Sequence, residues 1–364
     1  IDRSALVARI EDLLLSEPDQ ASLAGTLDDV ERAVQRSACR VLDRVRPHPG
    51  IDTAVLRAAA HPDPIVRLWA AAWEKPMRAA HPEQAAALRN RLAGDPFAGV
   101  RLRAVLATIE ADGDGDSAGA MAGTAAMPLL RRCLFDRSAM IRHVARFHLK
   151  AASEDADFVA IYRDALALAL PTGSTLAGPD LLGAIGGLGE TGRPEDRVHL
   201  LPFLDGGPKT ARAALRAMAK LDPEGSSGIL LDRLIDERRG VRNTALALLP
   251  RRLPAGDAAT MATLWRRAAT LVAATTVSKA TLRLPPWPAL GILLDAVAEA
   301  PAPQSNNVVL ASAALQKWRP EQRRNYAPTL PTPEQRVALG RSLEAARDRL
   351  PPELAMRIAA ALAM

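Results

Sequence analysis

The run Asp63-Pro-Ile-Val66-Arg67-Leu-Trp-Ala70 decides how the rest of the chain is read. It recurs as Asp95-Pro-Phe-Ala-Gly-Val100-Arg101-Leu-Arg-Ala104 and as Asp136-Arg-Ser-Ala-Met-Ile141-Arg142-His-Val-Ala145. A fourth copy is Asp236-Glu-Arg-Arg-Gly-Val241-Arg242-Asn-Thr-Ala245. Each copy has Asp in a turn, then Val or Ile followed by Arg, then Ala four residues after the branched residue. Residues four apart share one helix face, and a small Ala there lets a neighbouring helix approach closely. The Asp precedes the helix, where its carboxylate can cap free N–H groups and meet the positive end of the dipole.

Weaker copies share the frame. Val34-Gln35 leads to Ala38, Ala211-Arg212 to Leu215 with Asp205 upstream, and Val309-Leu310 to Ala313. The anchors 34, 66, 100, 141, 211, 241 and 309 are spaced by 32, 34, 41, 70, 30 and 68 residues. The two long gaps are near twice the short ones, so degenerate copies are expected near 176 and 275. The 41-residue gap holds an acidic insert, Asp112-Gly-Asp-Gly-Asp116-Ser-Ala-Gly. Between anchors runs a second apolar helix, as in Pro223 to Ile235 and Pro194 to Leu204. One helix pair cannot bury its apolar face alone, so neighbouring pairs must stack.

The stretch Leu182-Gly-Ala-Ile-Gly-Gly-Leu-Gly-Glu190 through Leu249 resembles the short HEAT repeats called PBS-lyase-like, and the Asp-(x)-Val-Arg-x-x-Ala frame is similar to the HEAT consensus. The resemblance implies that turn Asp and helix Arg form a ladder between adjacent repeats, a role carried onto Asp63/Arg67, Asp95/Arg101, Asp136/Arg142 and Asp236/Arg242. Asp205/Arg212 has one extra residue between its members. The expected fold is all-α, an α-α superhelix of about nine or ten helical pairs. It is expected as one solenoid over 1–364, with the best-matching repeats at 28–250. In the segment 251–364 anchors weaken and prolines cluster, and helices from about Pro333 and Pro352 are expected to cap the array.

Composition agrees with this reading. Apolar residues are 48% and aromatics 3% of the 364 residues, and alanine, a strong helix former and a poor strand former, is the commonest apolar residue. No stretch of about 18 or more residues is continuously apolar, so no membrane insertion is expected. No apolar core of a signal peptide follows Ile1-Asp2-Arg3-Ser4, and the absence of an initial Met leads us to expect a chain that begins inside a longer one or at a trimmed end. Cys39 and Cys133 each sit in an apolar helical pattern; two free buried thiols and a reducing, cytoplasmic compartment are expected. The net charge of +6 is uneven: residues 1–182 carry 22 basic and 24 acidic groups, and residues 183–364 carry 25 and 17.

Catalytic patterns are weak. Gly187-Leu-Gly-Glu-Thr-Gly192 has dinucleotide-site spacing, but that site needs a strand before it and a helix opening at it. Here the motif ends a helical repeat, so a glycine-rich helix end and turn is expected. The acidic insert lacks the Gly and Glu of a Ca²⁺ loop, having Ser117 and Gly123 in those places. The six histidines form no H-x-x-x-H, and no C-x-x-C occurs, so neither a metal nor a cofactor is expected. His61-Pro and His81-Pro read as helix starts.

Two kinds of candidate remain. Trp69 and Trp73, one turn apart, are core packing or aromatic anchors for a partner. The basic segments 131–150 and 233–283 carry net charges of +5 and +7. Within them Arg131, Arg132, Arg238, Arg239, Arg251, Arg252, Arg266 and Arg267 are candidates to bind an anion or an acidic partner. The expected function is a non-catalytic scaffold that binds another protein on a concave surface. Nucleic-acid binding through a basic stripe is the alternative. A bilin-lyase-like or enzyme-maturation role, implied only by the resemblance, is a second.

Overall fold

The computed structural model describes residues 37–41, 51–113, 126–153, 155–169, 178–300, 302, 305–319 and 330–363. Among these residues every regular element is helical and none is a strand, and the helices pack in neighbouring pairs. No helix of the described residues is long and apolar enough to cross a membrane. Packing divides the chain into two compact units. One comprises Ile1–Ile161 and Leu176–Gly187, the other Tyr162–Thr175 and Leu188–Met364.

The described helices of the first unit are α1 (Ile51–Ala58), α2 (Pro64–Ala72), α3 (Glu74–Ala80), α4 (Pro82–Leu92), α5 (Ala98–Gly113), α6 (Ala126–Cys133) and α7 (Ala139–Ala152). Helices α8 (Phe158–Leu168) and α9 (Pro179–Thr191) are divided between the units. The Arg-bearing helices α2, α5 and α7 lie side by side in one row, with α4 and α6 packed against α5 and α7 as a second layer. Val66, Val100 and Ile141 are fully buried, and so are Ala70, Ala104 and Ala145 one turn later. Each buried branched side chain contributes roughly 1.5–3 kcal/mol relative to exposure. In α9, a Cβ at Gly183 would lie 1.7 Å from the Phe135 carbonyl oxygen, so this backbone approach requires glycine.

In the second unit, α10 (Pro208–Leu221), α12 (Arg239–Leu248), α14 (Leu271–Thr281) and α16 (Asn306–Lys317) form the equivalent row. Facing them are α11 (Ser227–Asp232), α13 (Ala258–Arg267) and α15 (Pro286–Ala298), while α17 (Pro333–Ala346) packs on α15, and α18 (Pro352–Ala363) packs on α17. The clustered prolines serve as helix starts: Pro286, Pro333 and Pro352 are each the first residue of a helix, where a missing N–H costs nothing. Thr332 and Gln335 close a capping box on α17. The tryptophans here are core: Trp287 and Trp318 meet edge to face with centroids 5.6 Å apart, Trp318 Nε1 donates to the Pro286 carbonyl at 2.8 Å, and Trp265 Nε1 donates to Thr281 Oγ1 at 2.9 Å.

Several local expectations are corrected. The segment expected to be a helix over 194–204 is two 3₁₀ turns, Pro194–His199 and Leu201–Leu204. Pro202 removes a donor and disfavours the α conformation of the residue before it. Over 223–235 only Ser227–Asp232 is α-helical, followed by a 3₁₀ turn, Arg233–Ile235. The repeat frame puts Val309 and Ala313 on the buried face, yet Val309 is 58% exposed, and Val308, Ala311 and Leu315 are buried instead. Ser305 caps the Val308 N–H, which sets the helix phase one residue earlier. At about 100° per residue, that turns Val309 outward. The expected degenerate copy near 275 lies in α14. Position 176, the copy at Val34 and the insert residues 114–125 lie outside the described residues.

Candidate functional site

Each repeat turn is built from one Asp and the Arg that follows it on the helix. Asp63, Asp95, Asp136 and Asp236 each accept, through Oδ1, the N–H two residues ahead, at 2.7–2.9 Å. The Arg of the same repeat folds back onto the turn. Arg67 Nη1 donates to the His61 carbonyl at 2.7 Å, Arg101 Nη1 to Asp95 at 2.7 Å, Arg142 Nη1 to Asp136 at 2.6 Å and Arg242 Nη1 to Asp236 at 2.5 Å. In every case the accepting carbonyl lies six residues before the Arg. One guanidinium edge is thereby spent on its own turn, and the other edge is left for a neighbour.

In the first unit that second edge reaches the next turn. Arg67 donates Nε and Nη2 to the two oxygens of Asp95, at 2.6 and 3.0 Å. Arg101 does the same to Asp136, at 2.8 Å for both. These are bidentate, largely buried pairs. Burial raises the Asp95 carboxyl, but the hydrogen bond from Arg67, the Phe97 N–H and the nearby positive charges outweigh it and hold the pKa below the ordinary value. Arg142 is buried, and its Nη2 lies where a Cβ at Gly186 would be only 2.7 Å away.

The second unit departs from this. Asp236 is held by Arg238, through Nε at 2.9 Å and Nη2 at 2.7 Å, and by Arg233 at 3.3 Å. Burial would raise this carboxyl; the Arg238 side chain and N–H, with help from Arg233, bring it down to about 2. Arg212, in the ladder position of the preceding repeat, pairs with no carboxylate among the described residues. Asp205, which the frame assigns to that repeat, is 79% exposed and accepts from Arg233 at 2.9 Å. Arg242 bonds only the carbonyls of its own turn, and its buried Nε finds no partner among the described residues.

Two further rungs escaped the motif. Arg163 donates to the buried Asp196 at 2.6 Å, and Arg197 pairs with Asp222 at 3.2 Å. The first carried a signal: Tyr162-Arg163 leads to Leu166, with Tyr162 and Leu166 both buried as the Val and Ala of the frame would be. Glu74, fully buried, pairs with Arg89 and lies 3.8 Å from Arg78.

The remaining candidates separate on geometry. Trp73 is buried in the core of the first unit and is no anchor; Trp69 is half-buried against it, with ring centroids 5.8 Å apart. Arg131 and Arg132 are exposed in the last turn of α6. Arg238 is no free anion ligand: besides Asp236 it donates to the carbonyls of Leu204, at 2.8 Å, and Gly206. Arg251 and Arg252 are exposed on the turn after α12, and Arg267 is exposed at the end of α13. Arg266 shares a groove with Asp295 and Glu299, whose charges oppose its own. Arg239 lines a groove with Arg212 and Arg216.

His61 is buried and accepts the Asp63 N–H through Nδ1 at 3.0 Å, so it shapes the turn before α2. His81 directly precedes Pro82, the first residue of α4. Cys39 and Cys133 are buried and neither is in a disulfide, and burial, with Asp136 adding to it, pushes the Cys133 thiol up to about 11. Of the glycine motif, Gly187 and Gly189 lie inside α9 and Gly192 just beyond its end. Among the described residues no group of three or more His, Cys, Asp or Glu side chains is placed to hold a metal ion. No known family model matches the chain, and no curated protein matches it in sequence.

Proposed function

We propose that this chain is a non-catalytic, HEAT-like scaffold that binds a protein partner through the outward face of its Arg-bearing helix row. One observation carries the reading. The bidentate pairs Arg67–Asp95 and Arg101–Asp136 fix α2, α5 and α7 to one another, and the row then presents large apolar side chains to solvent. Met140 and Phe147, seven residues apart on α7, are 57% and 66% exposed, and Ile65 occupies the Met140 position of the frame on α2 and is also exposed. A rigid scaffold with exposed aromatic and Met side chains has the composition of a protein-binding hot spot. Two buried cysteines outside any disulfide support a reducing compartment, which we take to be the cytoplasm.

The test uses the tagged chain as bait in lysate of cells that express it, followed by titration of the purified partner. A complex of defined stoichiometry is expected, weakened at least about tenfold by Met140→Asp/Phe147→Asp. Turnover of a substrate by the chain alone would overturn the reading. So would steeply salt-dependent binding of random duplex DNA with no protein partner captured.

A further inference from the structure

We infer that the groove between α10 and α12 in the second unit binds carboxylate side chains of an acidic, apolar-flanked peptide segment; the inference rests on the protein-partner reading above. The groove is open to solvent and has a volume of about 470 Å³, and Arg212 and Arg216, one turn apart on α10, line it with Arg239 and Asn243, one turn apart on α12. No carboxylate lines it. None of the three arginines makes a hydrogen bond or ion pair among the described residues, and Arg212 Nε is buried with no acceptor. A desolvated donor without an acceptor is costly, and a bound oxyanion removes that cost.

The ladder explains why Arg212 is free. In the first unit, Arg67 and Arg101 direct the same edge of the guanidinium at the Asp of the next turn. In the second unit the corresponding Asp236 is already occupied by Arg238 and Arg233. The Arg212 stem instead lies along α12 at Gly240, where a Cβ would come 3.2 Å from Arg212 Cδ. Three planar forks converging on one groove match carboxylates bidentately.

The extent of the charge selects the ligand. On the next helix of the row, α14, the exposed positions are Leu271, Val272 and Lys279. The groove lining itself turns apolar at Ala247 and Leu248, at the C-terminal end of α12. A polynucleotide backbone, with a charge at every step, would run off the cationic groove onto that apolar surface. A peptide that alternates carboxylates with aliphatic side chains meets both.

The test is fluorescence anisotropy with the full chain and a labelled peptide of alternating Glu and Leu. Two competitors accompany it: the same peptide with Gln for Glu, and a single-stranded oligonucleotide of equal charge. The Glu peptide is expected to bind, and the Gln peptide at least about tenfold more weakly. Arg212→Gln/Arg239→Gln is expected to weaken the Glu peptide by a similar factor with an unchanged melting midpoint, because neither side chain holds the fold together, and Arg251→Gln is expected to leave binding unchanged. Equal binding of the Gln peptide, unchanged affinity in the double variant, or tighter binding of the oligonucleotide would each overturn the proposal. The two readings fail separately, because the partner interface is read at Met140 and Phe147 and this groove at Arg212 and Arg239.

Discussion

The two units carry the same helix frame and use it differently. In the first, Arg67 and Arg101 each span from their own turn to the next, so each of these two rungs holds two repeats together through a largely buried bidentate pair. In the second, Arg163 still reaches Asp196 across repeats, but the turn Asp236 is served from its own repeat and from Arg233, and Arg212 is left facing a groove. The difference shows that the Val-Arg-x-x-Ala pattern specifies where an Arg starts, not which carboxylate it reaches. A competitor as close in sequence as Arg238 can take the acceptor first, because its effective concentration next to Asp236 is higher than that of a side chain from the preceding repeat.

The comparison can be broken most directly by deleting one Arg from each unit. Arg101→Ala leaves the partly buried Asp136 without its bidentate partner, and unfolding in denaturant is expected to show a loss of about 2–3 kcal/mol. Arg212→Ala removes no pair, and its change is expected to stay within about 0.5 kcal/mol. Equal losses would mean that the two units do not differ as described.

An intermediate effect concerns acid. The Asp236 carboxyl is lowered to about 2 from an ordinary value of 3.8, so its contribution to stability is complete above about pH 4 and is lost as pH falls towards 2. Arg238→Gln should raise this carboxyl and move acid unfolding to higher pH. Following the unfolding midpoint against pH in both proteins checks this, and superimposable curves would contradict it.

The smallest effect lies in the first unit, near neutrality. Burial, partly countered by Asp63, lowers the His61 pKa below its ordinary 6.5. The folded chain then binds fewer protons at this site than the unfolded chain. The stability involved is complete above about pH 6.5 and is lost as pH falls through the lowered value. His61→Asn keeps an acceptor for the Asp63 N–H and is expected to flatten that slope, leaving a residue from His148, which burial also lowers. Melting midpoints at stepped pH would show it; an unchanged slope would remove His61 from the account.

Much of the fold was legible because its signals are local. Val66, Val100, Ile141 and Val241 are buried with their Ala one turn on, since helical periodicity and a nearby Asp cap are properties of ten consecutive residues. Local reasoning failed where proline overrode an apolar run at 194–204, and where the Ser305 cap shifted the phase at Val309. The candidate site was less legible. Arg238 and Arg239 are adjacent in sequence and look equivalent, yet one is consumed by Asp236, Leu204 and Gly206 and the other faces a groove. Trp69 and Trp73 likewise share a helical face in sequence terms, and only packing distinguishes them. Arg163–Asp196 went unseen because a Tyr stands where the frame has Val.

The sequence by itself determined an all-helical chain of repeated pairs, the Asp-held turns before α2, α5, α7 and α12, and the burial of both thiols. All of these follow from side chains within a few residues of one another. The tertiary structure alone decided which guanidinium closes a rung and which remains open, because the competing acceptors lie 28 to 35 residues away and the outcome depends on which donor reaches them first. It also gathered Arg212, Arg216 and Arg239 into one groove, since only the packing of α10 against α12 sets the distance between them.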